Sequence, residues 1–95
     1  PSVNAGNDQA LTLPATSTVL VGTATDADGT VSFVQWSQLS GPSTALISSP
    51  NQFSTSLSGL QQGTYTFEFR ATDDDGANAS DVVQVTVNPA PVSGG

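Results

Sequence analysis

The chain has 95 residues, eight acidic side chains against a single basic one, and a formal net charge of −7. One cation, Arg70, argues against nucleic-acid binding, which needs several Lys or Arg on the phosphates, and disfavours anionic membrane surfaces for the same reason. The absence of His, Cys and Lys removes the common general base, thiolate and disulfide chemistry, Schiff bases and lysine crosslinks.

One domain of this length hides roughly 60–65% of the surface its unfolded chain exposes. No apolar run approaches the ~20 residues needed to cross a bilayer, and no signal-peptide pattern is present, so the reading is of a soluble fragment. Methionine is absent, which suggests a piece of a longer polypeptide or a processed product.

In chain order, the first predicted strand is QALTLP, residues 9–14, and the second STVLVGTAT, residues 17–25. The third is TVSFVQWSQLS, residues 30–40, followed by short strands around Thr44–Ile47 and Phe53–Leu57. The sixth, GTYTFEFRATD over residues 63–73, carries the clearest period of two. Tyr65, Phe67, Phe69 and Ala71 alternate with Thr64, Thr66, Glu68 and Arg70, the mark of a half-buried antiparallel strand. The seventh, DVVQVTVN over residues 81–88, repeats it with Val83, Val85 and Val87 on one side.

Gly or Pro punctuates most joints: Pro14, Gly29, Gly41-Pro42, Pro50, Gly59, Gly63 and Gly76. No stretch of helical length shows a 3.6-residue period free of breakers. Seven short strands with turn signals about every 8–12 residues predict an all-β, immunoglobulin-like, two-sheet antiparallel β-sandwich. Residues 1–88 form the predicted domain. NPAPVSGG at the C-terminus reads as the approach to a Pro/Gly/Ser linker covering residues 89–95.

Three segments in order carry a family likeness: AGNDQALTLP, LVGTATDADGTVSFVQWSQLSGPS, and GLQQGTYTFEFRATDDDGANASDVVQVTV. Together they resemble a PKD domain, and more narrowly the variant with W-x-Q-x-S-G-P after the third strand, as in REJ-like and dyslexia-associated receptor repeats. The commonest PKD pattern has W-x-F-G-D-G there, whereas this chain has Trp36-Ser37-Gln38-Leu39-Ser40-Gly41, so no role of that acidic loop is carried over. The resemblance implies a β-sandwich without catalytic activity in an extracellular setting, secreted or cell-surface. It also implies calcium in some relatives, with ligands that fall here on Asp26, Asp28 and Asp73 and on the stretch at or before Pro1.

The acidic residues support that expectation on their own terms. Five of the eight lie in two similar phrases, TATDADG (residues 23–29) and RATDDDG (residues 70–76). In the predicted topology these phrases join the second and third strands and the sixth and seventh, which places them at one pole. The N-terminal segment is expected there too, bringing Asn4, Asn7 and Asp8 toward them. Close carboxylates repel by roughly 1–4 kcal/mol per pair, and Ca²⁺ with its six to eight oxygen ligands suits such a cluster. Asp74 and Asp75 are expected to be solvated. The competing account is that Asp and Gly simply form the turns, with no ion.

Trp36 is expected in the core, and Tyr65 is expected to act as a tyrosine corner, its hydroxyl bonding a nearby backbone group. Phe33 is out of phase with Val34 and Trp36, and Phe53 stands among polar neighbours. Each is either a lone exposed residue or a platform for a sugar ring or another domain. Asn78-Ala79-Ser80 is a glycosylation sequon, meaningful in a eukaryotic source. The functional expectation is a noncatalytic spacer or adhesion module whose partners are adjacent domains of the same chain. The alternative is a carbohydrate-binding accessory module of a polysaccharide-degrading enzyme, with polysaccharide or other surface proteins as partners. Self-association through an exposed strand edge is a third route.

Overall fold

The computed structural model describes residues 2–26 and 29–91. Nine strands and no helix are found among them: β1 (Ser2–Asn4), β2 (Gln9–Thr12), β3 (Thr18–Val21), β4 (Thr23–Thr25), β5 (Val31–Ser40), β6 (Leu46–Ile47), β7 (Ser54–Ser58), β8 (Gly63–Asp73) and β9 (Asn78–Asn88). One layer is a four-stranded sheet in the order β2-β9-β8-β5; the other is built from β3-β7-β6 and the β1-β4 pair. The predicted all-β sandwich is therefore correct, and its strand count rises from seven to nine for two local reasons.

The first reason is Gly22. The predicted strand over residues 17–25 is one extended run broken there, with β3 pairing β7 before the break and β4 pairing β1 after it. A Cβ on Gly22 would sit 2.7 Å from two carbons of the Phe69 ring, so only glycine lets this backbone lie on the core aromatic. The amide of Gly22 donates to the carbonyl of Phe53 at 2.8 Å, which keeps the layer continuous across the break.

The second reason is a sheet switch near the N-terminus. β1 runs antiparallel to β4, then the chain crosses at Ala5–Asp8 and continues as β2 beside β9. Because β2 keeps the direction of β1 and β9 runs the same way, the β2–β9 pair is parallel, unlike the all-antiparallel arrangement expected. Two carboxylates fix the crossing. Asp81 Oδ2 accepts the Ala5 amide at 2.9 Å, and Asp8 Oδ1 accepts the Gln84 amide at 3.0 Å.

Alternation along β8 and β9 builds the core. Tyr65, Phe67, Phe69, Ala71, Val83, Val85 and Val87 are all buried, and Leu20 and Leu57 meet them from the opposite layer. Trp36 is 1% exposed, as expected, with its ring centroid 4.5 Å from that of Phe69. Tyr65 behaves as the predicted corner: its hydroxyl accepts the Gln61 amide at 2.7 Å and shares a hydrogen bond with Ser43 Oγ at 2.7 Å.

Register irregularities in β5 lie between Val31 and Phe33 and between Gln38 and Ser40. The first explains the phase of Phe33. One extra residue, Ser32, lets both Val31 and Val34 turn toward the core and leaves Phe33 outside, 50% exposed. Residues 89–91 are exposed and carry no strand, and the predicted linker beyond them, residues 92–95, lies outside the described residues.

Candidate metal centre

The loop after β4 and the turn between β8 and β9 meet at one pole of the sandwich, as their places in the topology require. Val31 pairs with Asp73 at the last step of the β5–β8 ladder. The Asp74 amide donates to the carbonyl of Thr30 at 3.0 Å, and Ser32 Oγ donates to the Asp73 carbonyl at 2.9 Å. The segment that follows the first acidic phrase is thereby tied to the second phrase, independently of the carboxylates.

Asp73 closes the inward-facing row of β8 that begins at Tyr65, so the alternation that buries the aromatics also buries this carboxylate. It is only 6% exposed. Its Oδ1 accepts the amides of Asp75 and Ala77, each at 2.9 Å, while its own amide donates to the Ala77 carbonyl at 2.9 Å. This is the Asx-type turn chemistry that the acidic phrase allows without any ion. Asp73 therefore shapes the turn and also faces the pole.

Carboxylate oxygens of Asp26, Asp73 and Asp74 lie within 4.8 Å of one another. Asp26 is half-buried and Asp74 exposed. Gly29 makes the approach possible: a Cβ there would fall 2.5 Å from Asp74 Oδ1 and 3.1 Å from Asp26 Oδ2. Oxygens bound to one Ca²⁺ at ~2.4 Å are at most about 4.8 Å apart, a limit that these carboxylates meet. An all-oxygen donor set, in a chain without His or Cys, also points to a hard cation.

Of the three predicted ligands, Asp26 and Asp73 come together, and Asp28 lies outside the described residues. Asp74, expected to be solvated, is exposed yet reaches the cluster; Asp75 is exposed and contributes its amide to Asp73. A run of three aspartates gives no periodic signal to choose among them. The expectation for Asn4, Asn7 and Asp8 is corrected. Ser2 pairs with Thr25 and Asn4 with Thr23, so the chain starts at this pole and runs away from it. Asn4 Oδ1 accepts the Gly6 amide at 2.8 Å, and Asp8 is spent on Gln84 in the middle of β9.

The remaining residues singled out have plainer placements. Phe53 is 45% exposed, and with Phe33 it lines a shallow hollow beside β5. Asn78 is exposed at the start of β9. Gln38 of the W-x-Q-x-S-G-P stretch is a staple. Its Nε2 donates to the Ser43 carbonyl at 2.7 Å, and its Oε1 accepts the Ala45 amide at 2.8 Å.

Known proteins are similar to this chain in sequence and in fold. The family described as K319L-like, PKD domain matches residues 5–87. Low-density lipoprotein receptor-related protein 11 of Homo sapiens is 38% identical over 95 residues, covering 100% of this chain and 19% of that protein. Dyslexia-associated protein KIAA0319-like protein of Mus musculus is 34% identical over 87 residues, covering 92% of this chain and 8% of that protein. The chain thus spans about a fifth or less of these relatives. The solution structure of the PKD domain from KIAA 1837 protein superposes with a TM-score of 0.83 at 32% identity, covering 97% of this chain and 92% of that one. The PKD domain of human KIAA0319 gives a TM-score of 0.77 at 29% identity, covering 97% and 87% respectively. With most of its length matched by that family and its fold shared with these domains, the chain belongs to the K319L-like PKD domain family.

Proposed function

We propose that this chain is a noncatalytic spacer and adhesion module that binds Ca²⁺ between its two acidic turns. The module is extracellular, like the receptor-related proteins it resembles. Its absence of activity is supported by the receptor-like character of those relatives and by a side-chain set without His, Cys or Lys. The observation that carries the calcium reading is the convergence of Asp26, Asp73 and Asp74 from two loops that are distant in sequence.

Topology supports the spacer role. β1 starts beside Thr25, at the acidic pole, and β9 ends at Asn88 opposite Thr12, at the other. Between them run β8 and β9, each of 11 residues; at ~3.4 Å per residue such strands span about 35 Å. Neighbouring domains attached at the two ends are thereby held apart along the strands. An ion at the acidic pole links the two turns beside the start of β1 and stiffens that junction.

Thermal unfolding tests this. A ligand that binds only the folded chain stabilises it by RT ln(1 + [L]/Kd), about 1.4 kcal/mol at ten times Kd, or several degrees for a domain of this size. Calcium is expected to raise the Tm of a chelator-treated sample and EDTA to reverse the gain. Asp73→Asn keeps the oxygen that accepts the Asp75 and Ala77 amides but removes the charge, so it should fold normally and lose most of the calcium response. An unchanged melting curve at millimolar calcium overturns the proposal.

A further inference from the structure

Beyond the acidic pole, a hollow of about 190 Å³ lies beside β5. It is lined by Val31, Ser32, Phe33, Val34, Asn51 and Phe53. From this hollow we infer that the chain binds a neutral polysaccharide, one sugar ring seated between Phe33 and Phe53.

Both phenylalanines are about half exposed, at 50% and 45%, although Phe, like the other aromatics, makes up little of this chain. Phe53 is firmly held. Its carbonyl accepts the Gly22 amide at 2.8 Å and Trp36 Nε1–H at 3.3 Å, and its ring lies 6.0 Å from that of Phe69. Phe33 is turned outward by the register irregularity at Ser32. An aromatic face set on rigid backbone takes the C–H face of a pyranose with little ordering cost. The Asn51 amide, its Nδ2 fixed on the Val34 carbonyl at 3.2 Å, supplies a polar group suited to sugar hydroxyls, and Ser32 Oγ, whose proton is engaged on the Asp73 carbonyl, offers its oxygen as an acceptor.

The same surroundings select the class of ligand. None of the six lining residues is ionisable, and the net charge of −7 disfavours uronic or sulfated glycans. Addition of a peptide strand to this edge of β5 is obstructed, because Pro50 already accepts the Trp36 amide at 2.7 Å and Asn51 already engages Val34. A neutral, ring-shaped ligand that stacks without pairing to the backbone is what fits. The inference is independent of calcium, since no acidic residue lines the hollow.

Affinity electrophoresis through hydroxyethyl cellulose, xyloglucan and xylan, together with pull-down on cellulose and chitin, all in EDTA, tests it. Retardation by at least one of these glycans is expected. Phe33→Ala and Phe53→Ala should each weaken it about three- to tenfold, and Phe33→Trp should preserve it. Phe33→Ala removes a half-exposed ring and leaves the core intact, so its Tm should match the parent's even if Phe53→Ala is destabilised. Binding to none of the five, binding indifferent to both alanine variants, or binding abolished by 0.5 M salt as for a cationic contaminant or partner (roughly a 4 Å Debye length) would overturn the inference.

Discussion

Asp73 carries two demands with one side chain: it must complete a turn and it must bring charge to a crowded pole. The first demand is met through Oδ1, which accepts two backbone amides, and the second through its position among the oxygens of Asp26 and Asp74. Its burial was legible in the sequence, since residue 73 extends the odd-numbered row Tyr65, Phe67, Phe69, Ala71. The part of Asp74 was not, because its carboxylate reaches the cluster from a turn whose geometry no periodicity specifies. Gly29 was read as a breaker, and its closer role is to leave room for the two carboxylates beside it. Gly29→Ala places a methyl 2.5 Å from Asp74 Oδ1 and must displace it. The expected result is a calcium affinity lowered by about tenfold or more, equivalent to about 1.4 kcal/mol, with calcium-free stability changed far less. Calorimetric titration of the two proteins reads the difference directly; equal affinities would show that Asp74 takes no part.

Among the elements, the stretch from Trp36 to Ala45 shows how a motif can be conspicuous for structural reasons. Trp36 fills the core, Gln38 binds the Ser43 carbonyl and the Ala45 amide, and Ser43 in turn shares a hydrogen bond with Tyr65. The loop after β5 is thus stapled to the corner that starts β8. Gln38→Ala leaves these partly buried groups unpaired and should cost about 1–3 kcal/mol in urea unfolding without altering the calcium response. A loss below about 0.5 kcal/mol, the size of an ordinary surface substitution, would contradict the staple. The long strands β5, β8 and β9 were readable from alternation because one face of each is buried. β1 was not: three residues with one half-buried valine carry no period, and their place depends on Asp81 holding Ala5 from across the molecule. Nor does local sequence reveal that β2 will lie parallel to β9. That outcome belongs to the crossing at Ala5–Asp8.

At the scale of the whole molecule, two layers closing over one core bring together turns that the chain separates by more than forty positions, and leave the start of β1 and the end of β9 at opposite poles. The topology brings the two acidic phrases to one pole, beside the start of β1, which is where the proposed function puts its ion. The most direct test follows the backbone amides of the ¹⁵N-labelled chain during calcium titration. The account predicts that Asp26 and Gly29 on one turn and Asp73 through Ala77 on the other shift together with a single Kd, while the amides around Gly63 and Val87 at the far pole stay still. Shifts confined to one turn, or no shift in either at millimolar calcium, would contradict it.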